Sequence, residues 1–185
     1  CRGGDPEEWT EDSVLEAAKD VSLVPGERAF LPRIAGAEAD AEIRGSEVTK
    51  HVSRVARMPE VRSWVNEQVR KAARGHDVVV DGRDIGTVVF PDASLKIFLI
   101  ADSWERARRR LLQRLDRRPT DAEIAEETER LVQRDAKDAL QTVQAADAVL
   151  IDSTSLTQPD QVERIVALTN AVTHRGADTS GIDST

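Results

Sequence analysis

The stretch Asp77-Val-Val-Val-Asp81-Gly82-Arg83-Asp84-Ile85-Gly86-Thr87-Val-Val-Phe90-Pro91-Asp92-Ala93 decides how this 185-residue chain is read. Asp77 to Asp81 is a short β-branched run of the kind buried on both faces of a parallel sheet. In open α/β sheets ligands bind beyond the carboxyl ends of the strands, which places Arg83 and Asp84 at a functional edge. Gly82 and Gly86 allow a sharp turn and a close backbone approach. On these residues alone, a plain strand-end loop in which Arg and Asp pair with each other is an equal alternative.

Working outward, Leu95 to Ile100 and Ala148 to Ile151 have the same strand character. Helices lie between them: Asp102 with Glu105, and Thr120 with Glu123, read as capping boxes. Strand and helix in alternation predict a parallel α/β sheet. Upstream, Thr10 and Asp12 are candidate caps for a short helix carrying Val14, Leu15, Ala17, Ala18 and Val21. Pro25-Gly26, Pro32 and Gly36 break Ser22 to Arg44 into a small β excursion. Ser46 is read as capping the next helix, Pro59 as opening another with Val61, Trp64, Val65 and Val69 as its stripe, and Gly75 as ending it. Gln161 to Leu168 reads as a closing helix and Thr173 to Thr185 as a frayed tail.

Composition narrows the function. The chain carries 26 Lys and Arg against 34 Asp and Glu, a formal charge of −8, so a nucleic-acid polymer is not an expected partner and any phosphate site must be a local basic cluster. The longest run without a charged side chain, Ile165 to His174, is far short of the ~18 apolar residues that cross a bilayer. No signal peptide is visible, and the single cysteine, Cys1, excludes an internal disulfide; a cytoplasmic location is expected. His51, His76 and His174 show no zinc-site spacing, and no metal ligands are assigned.

The run Asp81 to Ala93, continued by Leu95-Lys-Ile-Phe-Leu99 and Glu105-Arg106-Ala-Arg-Arg-Arg110, resembles the bacterial cytidylate kinases, a family of nucleoside monophosphate kinases. The resemblance extends through Glu42-Ile-Arg44, Ser46-Glu-Val48, Val52 to Arg62 and Arg134-Asp-Ala-Lys-Asp138. It implies transfer of the γ-phosphoryl of ATP, with Mg2+, to CMP or dCMP. The implied fold is a P-loop kinase-like α/β protein with a parallel sheet flanked by helices. Residues 22–74 would form an inserted monophosphate-binding subdomain, and 77–168 the remaining core with a lid over about 106–138.

For the matching positions, the resemblance implies that Ser53, Arg62, Arg83, Asp84, Arg134 and Asp138 contact the cytidine monophosphate. It also makes Arg106, Arg109 and Arg110 candidates for gripping ATP phosphates, with Arg134, Arg109 and Arg110 nearest the chemistry and Arg117-Arg118-Pro119 part of the lid. The residue types suit those tasks: carboxylates accept from sugar hydroxyls or an exocyclic amine, and guanidinium forks match phosphate oxygens. Without the resemblance, Arg134 and Asp138 read as a surface i,i+4 ion pair worth only ~0.3–0.5 kcal/mol. Likewise Arg106, Arg109 and Arg110 read as a solvated face opposite Trp104, Ala107, Leu111, Leu112 and Leu115, with Arg108 snorkelling beside that stripe.

Two features depart from the family pattern. Asp138 is followed by Ala139-Leu-Gln141 where the family places a second arginine. Gly-Lys occurs nowhere in the sequence, so the phosphate loop Gly-x-x-x-x-Gly-Lys-Ser/Thr is missing along with the first strand that precedes it in the family. The chain begins with Cys, and an N-terminally incomplete kinase, inactive by itself, is the expectation. In the family fold that strand lies between those matched by Asp77–Asp81 and Leu95–Ile100, so a missing segment or another chain is expected to complete the sheet. The alternatives are a non-catalytic cytidine-nucleotide-binding module or partner subunit, and a kinase for a different nucleotide.

Overall fold

The computed structural model describes residues 5–27, 29–39, 43–139 and 142–179. The chain divides into two compact units, Cys1–Val80 and Asp81–Thr185.

In the first unit, α1 (Glu11–Ala17) starts at Thr10, whose side chain and that of Ser13 each accept from the other's backbone amide. Strands β1 (Val21–Pro25), β2 (Phe30–Ile34) and β3 (Ala37–Glu38) form an antiparallel sheet, with Val21 opposite Ile34 and Pro25 opposite Phe30. This is the expected β excursion. The turn from β2 to β3 uses Ala35 and Gly36 at φ 50° and 82°, the positive-φ pair of a tight hairpin, where glycine relieves one of the two strained positions.

Helices α2 (Ser46–Val55) and α3 (Pro59–Ala73) follow. Gly45, rather than Ser46, occupies the cap position of α2 and makes no side-chain cap bond. Pro59 opens α3 as expected, since its missing amide costs nothing there; the next amide, of Glu60, donates to the Glu11 carboxylate of α1 at 3.2 Å. Val61 on α3 is buried, and Trp9 meets His51 edge-on at 5.6 Å. Gly75 takes φ 75° just past the end of α3.

In the second unit, β4 (Ile97–Ile100) and β5 (Val149–Asp152) pair in parallel, with Ile97 opposite Val149 and Ile100 opposite Asp152. Between them α4 (Ser103–Arg114) and α5 (Asp121–Asp138) form a helical hairpin around Ala107, Leu111, Ile124 and Leu131, all buried, with Leu115 packed against them. The Thr120–Glu123 capping box forms reciprocally, with Thr120 N to Glu123 Oε2 at 2.8 Å and Glu123 N to Thr120 Oγ1 at 3.3 Å. At Asp102 only half of the expected box is made: its carboxylate accepts from Trp104 N and Glu105 N, while Glu105 turns to Arg108 and Arg109.

Three expectations change. Asp77–Asp81 is not a strand, and Val79 is 96% exposed. A β-branched run holds a strand only where a neighbour completes its ladder, and among the described residues none does. The two parallel strands are half-exposed rather than buried on both faces, with Leu99 and Leu150 open and Ile151 buried. Finally, α6 runs Gln158–Thr179, through the first half of the expected tail. No helix among the described residues is long and apolar enough to cross a membrane.

Leu111→Ala is expected to destabilise the second unit by about 2–4 kcal/mol, the transfer and cavity cost of a buried leucine, measured by urea unfolding. Arg117 donates bidentately to Glu123 and, with the Thr120 hydrogen bonds, holds that carboxyl down to about 2. A depressed carboxyl stabilises the fold above its unfolded value and loses that contribution as pH falls through the folded one. Melting temperature should therefore decline between pH 4.5 and about 2, and less steeply in Arg117→Ala.

Candidate functional site

The loop Asp81–Ala93 is shaped by its backbone. The Asp84 carbonyl accepts from the amides of Thr87, Val88 and Val89 at 3.3, 2.8 and 3.3 Å, opening a wide turn over Ile85–Val89. A Cβ on Gly82 would sit 2.7 Å from the Ile85 side chain, so glycine is what lets the loop close on itself. Arg83 reaches α5, where its Nη2 lies 2.8 Å from Asp138 Oδ2. Arg134 Nε approaches the same oxygen at 3.6 Å. The structure thus brings three of the expected substrate residues, Arg83, Arg134 and Asp138, to one carboxylate oxygen, and the i,i+4 pair is part of a larger cluster.

Arg106 extends it. Its two terminal nitrogens hold Asp135 at 2.5 and 3.1 Å. The Asp135 carboxyl is pushed below the usual carboxylate range by this hydrogen-bonded pair, with further help from the nearby Arg83 and Arg134 charges. Three guanidinium groups therefore face two carboxylates, leaving a net positive charge where β-sheet loop and helical hairpin meet. Such a patch suits an anion whose charge is spread over several oxygens.

The remaining basic residues of α4 separate into different tasks. Arg109, expected at the ATP phosphates and near the chemistry, donates through Nη2 to the carbonyls of Ser153, Thr154 and Leu156 at 2.7, 3.0 and 3.2 Å, and through Nε to Glu105 at 2.8 Å. Those bonds brace α4 against the loop after β5. Arg110 lies 3.1 Å from the buried Glu127 of α5. Arg108 pairs with Glu105 at 2.7 and 2.9 Å. The face read as solvated is largely engaged.

Ser53 is exposed on α2, and its carbonyl accepts from Arg57 Nε at 3.0 Å. Arg62 is half-buried on α3 and its amide donates to the Met58 carbonyl at 3.0 Å. Both belong to the first unit, whereas Arg83, Asp84, Arg134 and Asp138 belong to the second. Gln141, with its departure from the family pattern, lies outside the described residues, as does Glu42 of the Glu42-Ile-Arg44 match.

Asp135 and Glu127 were not singled out from sequence, and Glu105 was read only as a helix cap. Their signal is present in register: Arg106, Arg110, Arg114 and Arg117 recur at helical spacing before the turn, and Glu123, Glu127 and Asp135 after it. Among the described residues no group of three or more His, Cys, Asp or Glu could hold a metal ion. Mg2+ is commonly bound through one or two carboxylates and substrate phosphates, so these residues provide no dedicated cage and carry no step through it.

An α/β unit with a parallel strand pair and a basic cluster beyond it fits a phosphotransferase, and the comparisons with known proteins agree. The cytidylate kinase family model matches residues 6–171. The cytidylate kinase of Alkaliphilus oremlandii is 45% identical over 167 residues, covering 88% of this chain and 75% of that protein. That of Caldanaerobacter subterraneus subsp. tengcongensis is 42% identical over 161 residues, 84% of this chain and 70% of the relative. The cytidylate kinase of Limosilactobacillus reuteri is 36% identical over 173 residues, 89% and 74% respectively. The chain is thus a nucleotide kinase by class. It belongs to the cytidylate kinase family.

Arg106→Ala should let the Asp135 carboxyl rise toward the ordinary aspartate range, seen by carboxyl carbon NMR titration. An unchanged Asp135 titration would show that the pair does not persist in solution.

Proposed function

We propose that the protein transfers the γ-phosphoryl of ATP to CMP or dCMP in the cytoplasm. The observation that carries the reading is the convergence of Arg83, Arg134 and Asp138 on one carboxylate oxygen, beside the Arg106–Asp135 pair. In the reaction the bond between the γ-phosphorus and its bridging oxygen breaks, a bond to an oxygen of the nucleoside monophosphate forms, and ADP leaves. Charge on the transferring group spreads over its outer oxygens, and catalysis consists of positioning it and stabilising that charge. Arg134 and Arg83 face the phosphates, while Asp138 orients both and accepts from the sugar. Asp84 reads sugar or base, and Ser53 and Arg62 are assigned as CMP contacts from their own stretch, Val52 to Arg62. The hairpin α4–α5 acts as the lid, with Arg106 and Arg110 toward ATP; Arg109 is assigned to bracing it. When bound with the nucleotide, Mg2+ supplies further charge neutralisation.

The β- and γ-phosphates also require a backbone cradle and a lysine of the Gly-Lys-Ser/Thr type, and these 185 residues contain no Gly-Lys. By themselves they are therefore expected to bind cytidine nucleotide without turning it over. A coupled assay of CDP formation from ATP, Mg2+ and CMP, run on these residues and on the longest product of the gene containing them, tests this. Activity confined to the longer product supports the reading. CMP binding with no CDP from either favours the non-catalytic binding module, and neither binding nor turnover overturns both.

In the active form, Asp84→Ala is expected to lower kcat/KM for CMP roughly 10- to 100-fold, the worth of one or two hydrogen bonds to a charged group. Arg62→Ala should raise KM for CMP more than for ATP; equal effects would make Arg62 a structural residue.

A further inference from the structure

We infer that Glu127 is a positioning residue that presents Arg110 as the polyphosphate-gripping cation of the α4–α5 hairpin. The inference deepens the kinase reading above and rests on it. Glu127 is 4% exposed, a carboxylate set beside the apolar seam of the hairpin. A buried carboxylate needs cationic partners, and Glu127 draws them from both helices. Arg110 Nε lies 3.1 Å from Oε1, Arg130 Nη1 donates to Oε2 at 3.4 Å, and Arg114 Nη2 stands 3.8 Å from Oε2.

These arginines differ in what they have left to offer. Arg130 is also held by Glu126 at 2.5 Å, and Arg114 stands furthest from the shared carboxylate. Arg106 has both terminal nitrogens committed to Asp135, and Arg109 gives Nη2 to three carbonyls. Arg110 forms its ion pair with the carboxylate most closely through Nε, and no second acid among those described pairs with it. Its side chain is 47% exposed. A buried carboxylate held on the Nε side restrains the guanidinium, while the two terminal nitrogens are the fork that matches phosphate oxygens. The carboxylate thus costs the cluster one charge and supplies orientation, so less side-chain freedom is lost when a phosphate binds. One positive charge remains when Arg110, Arg114 and Arg130 are set against Glu127 and Glu126, so the patch stays attractive to an anion.

The test is calorimetric binding of inorganic tripolyphosphate to the 185-residue chain and its variants. Arg110→Ala, Glu127→Gln and Glu127→Leu should each weaken binding roughly tenfold, about 1.4 kcal/mol, and combining Arg110→Ala with Glu127→Gln should weaken it no further. Unchanged or tighter binding in both Glu127 variants overturns the proposal, because the carboxylate would then only neutralise; so does absence of tripolyphosphate binding by the wild type. Binding that behaves as expected, with no CDP formed by any product of the gene, sinks the kinase reading and leaves the role of Glu127 standing.

Discussion

The close approach of α4 and α5 is the constraint on which the rest of the second unit depends. Ala107 is wholly buried between them, and Leu111, Ile124 and Leu131 fill the seam on either side. Burying each of the larger side chains is worth ~1.5–3 kcal/mol, and a methyl at Ala107 keeps the backbones near enough for short ion pairs to form across the flank. A larger residue there would separate the helices and lengthen every rung at once. The pairs Arg106–Asp135 and Arg110–Glu127 are thus consequences of apolar packing, and contribute geometry more than stability.

The same hairpin positions the cluster beyond the sheet. Because α5 continues to Asp138, its last turns bring Arg134, Asp135 and Asp138 to the loop that carries Arg83. That loop is held by backbone means, three amides on the Asp84 carbonyl and the space left by Gly82, so the Arg83 side chain is free of any part in shaping it. Fold and charge are thereby separated: hydrogen-bonded backbone sets the position, and the guanidinium groups are left to balance the carboxylates of α5.

Local signals were legible in the sequence wherever the interaction is local. Thr10, Thr120 and Pro59 mark helix starts within a few residues of where they act; the strand Ile97–Ile100 falls inside the run that predicted it, and Val149–Asp152 runs one residue past its own. Asp77–Asp81 shows the limit: its composition favours a strand, yet a strand is a property of two segments, and Val79 stands in solvent. The cluster was half legible. Arg83, Arg134 and Asp138 could be named from their motifs, but that they share one oxygen depends on the length of α5 and the turn at Asp84. Asp135 and Glu127 escaped because a carboxylate on a charged helix reads as solvated until its partner helix is in place.

The run Glu105–Arg110 shows why residue type alone could not assign roles. Four arginines lie within five positions, and the helix turns about 100° per residue, so they point to different acceptors. Arg108 stays on its own helix with Glu105; Arg109 swings to carbonyls after β5; Arg106 and Arg110 cross to α5. The acceptors then grade them. Three backbone carbonyls cannot be exchanged for a ligand without loosening the fold, a bidentate aspartate can be exchanged at the cost of its own solvation, and a carboxylate approached through Nε leaves the fork in place. Identical side chains thereby become a brace, a latch and a reaching hand, and the distinction arises from the helical period and the acceptor that waits at each angle.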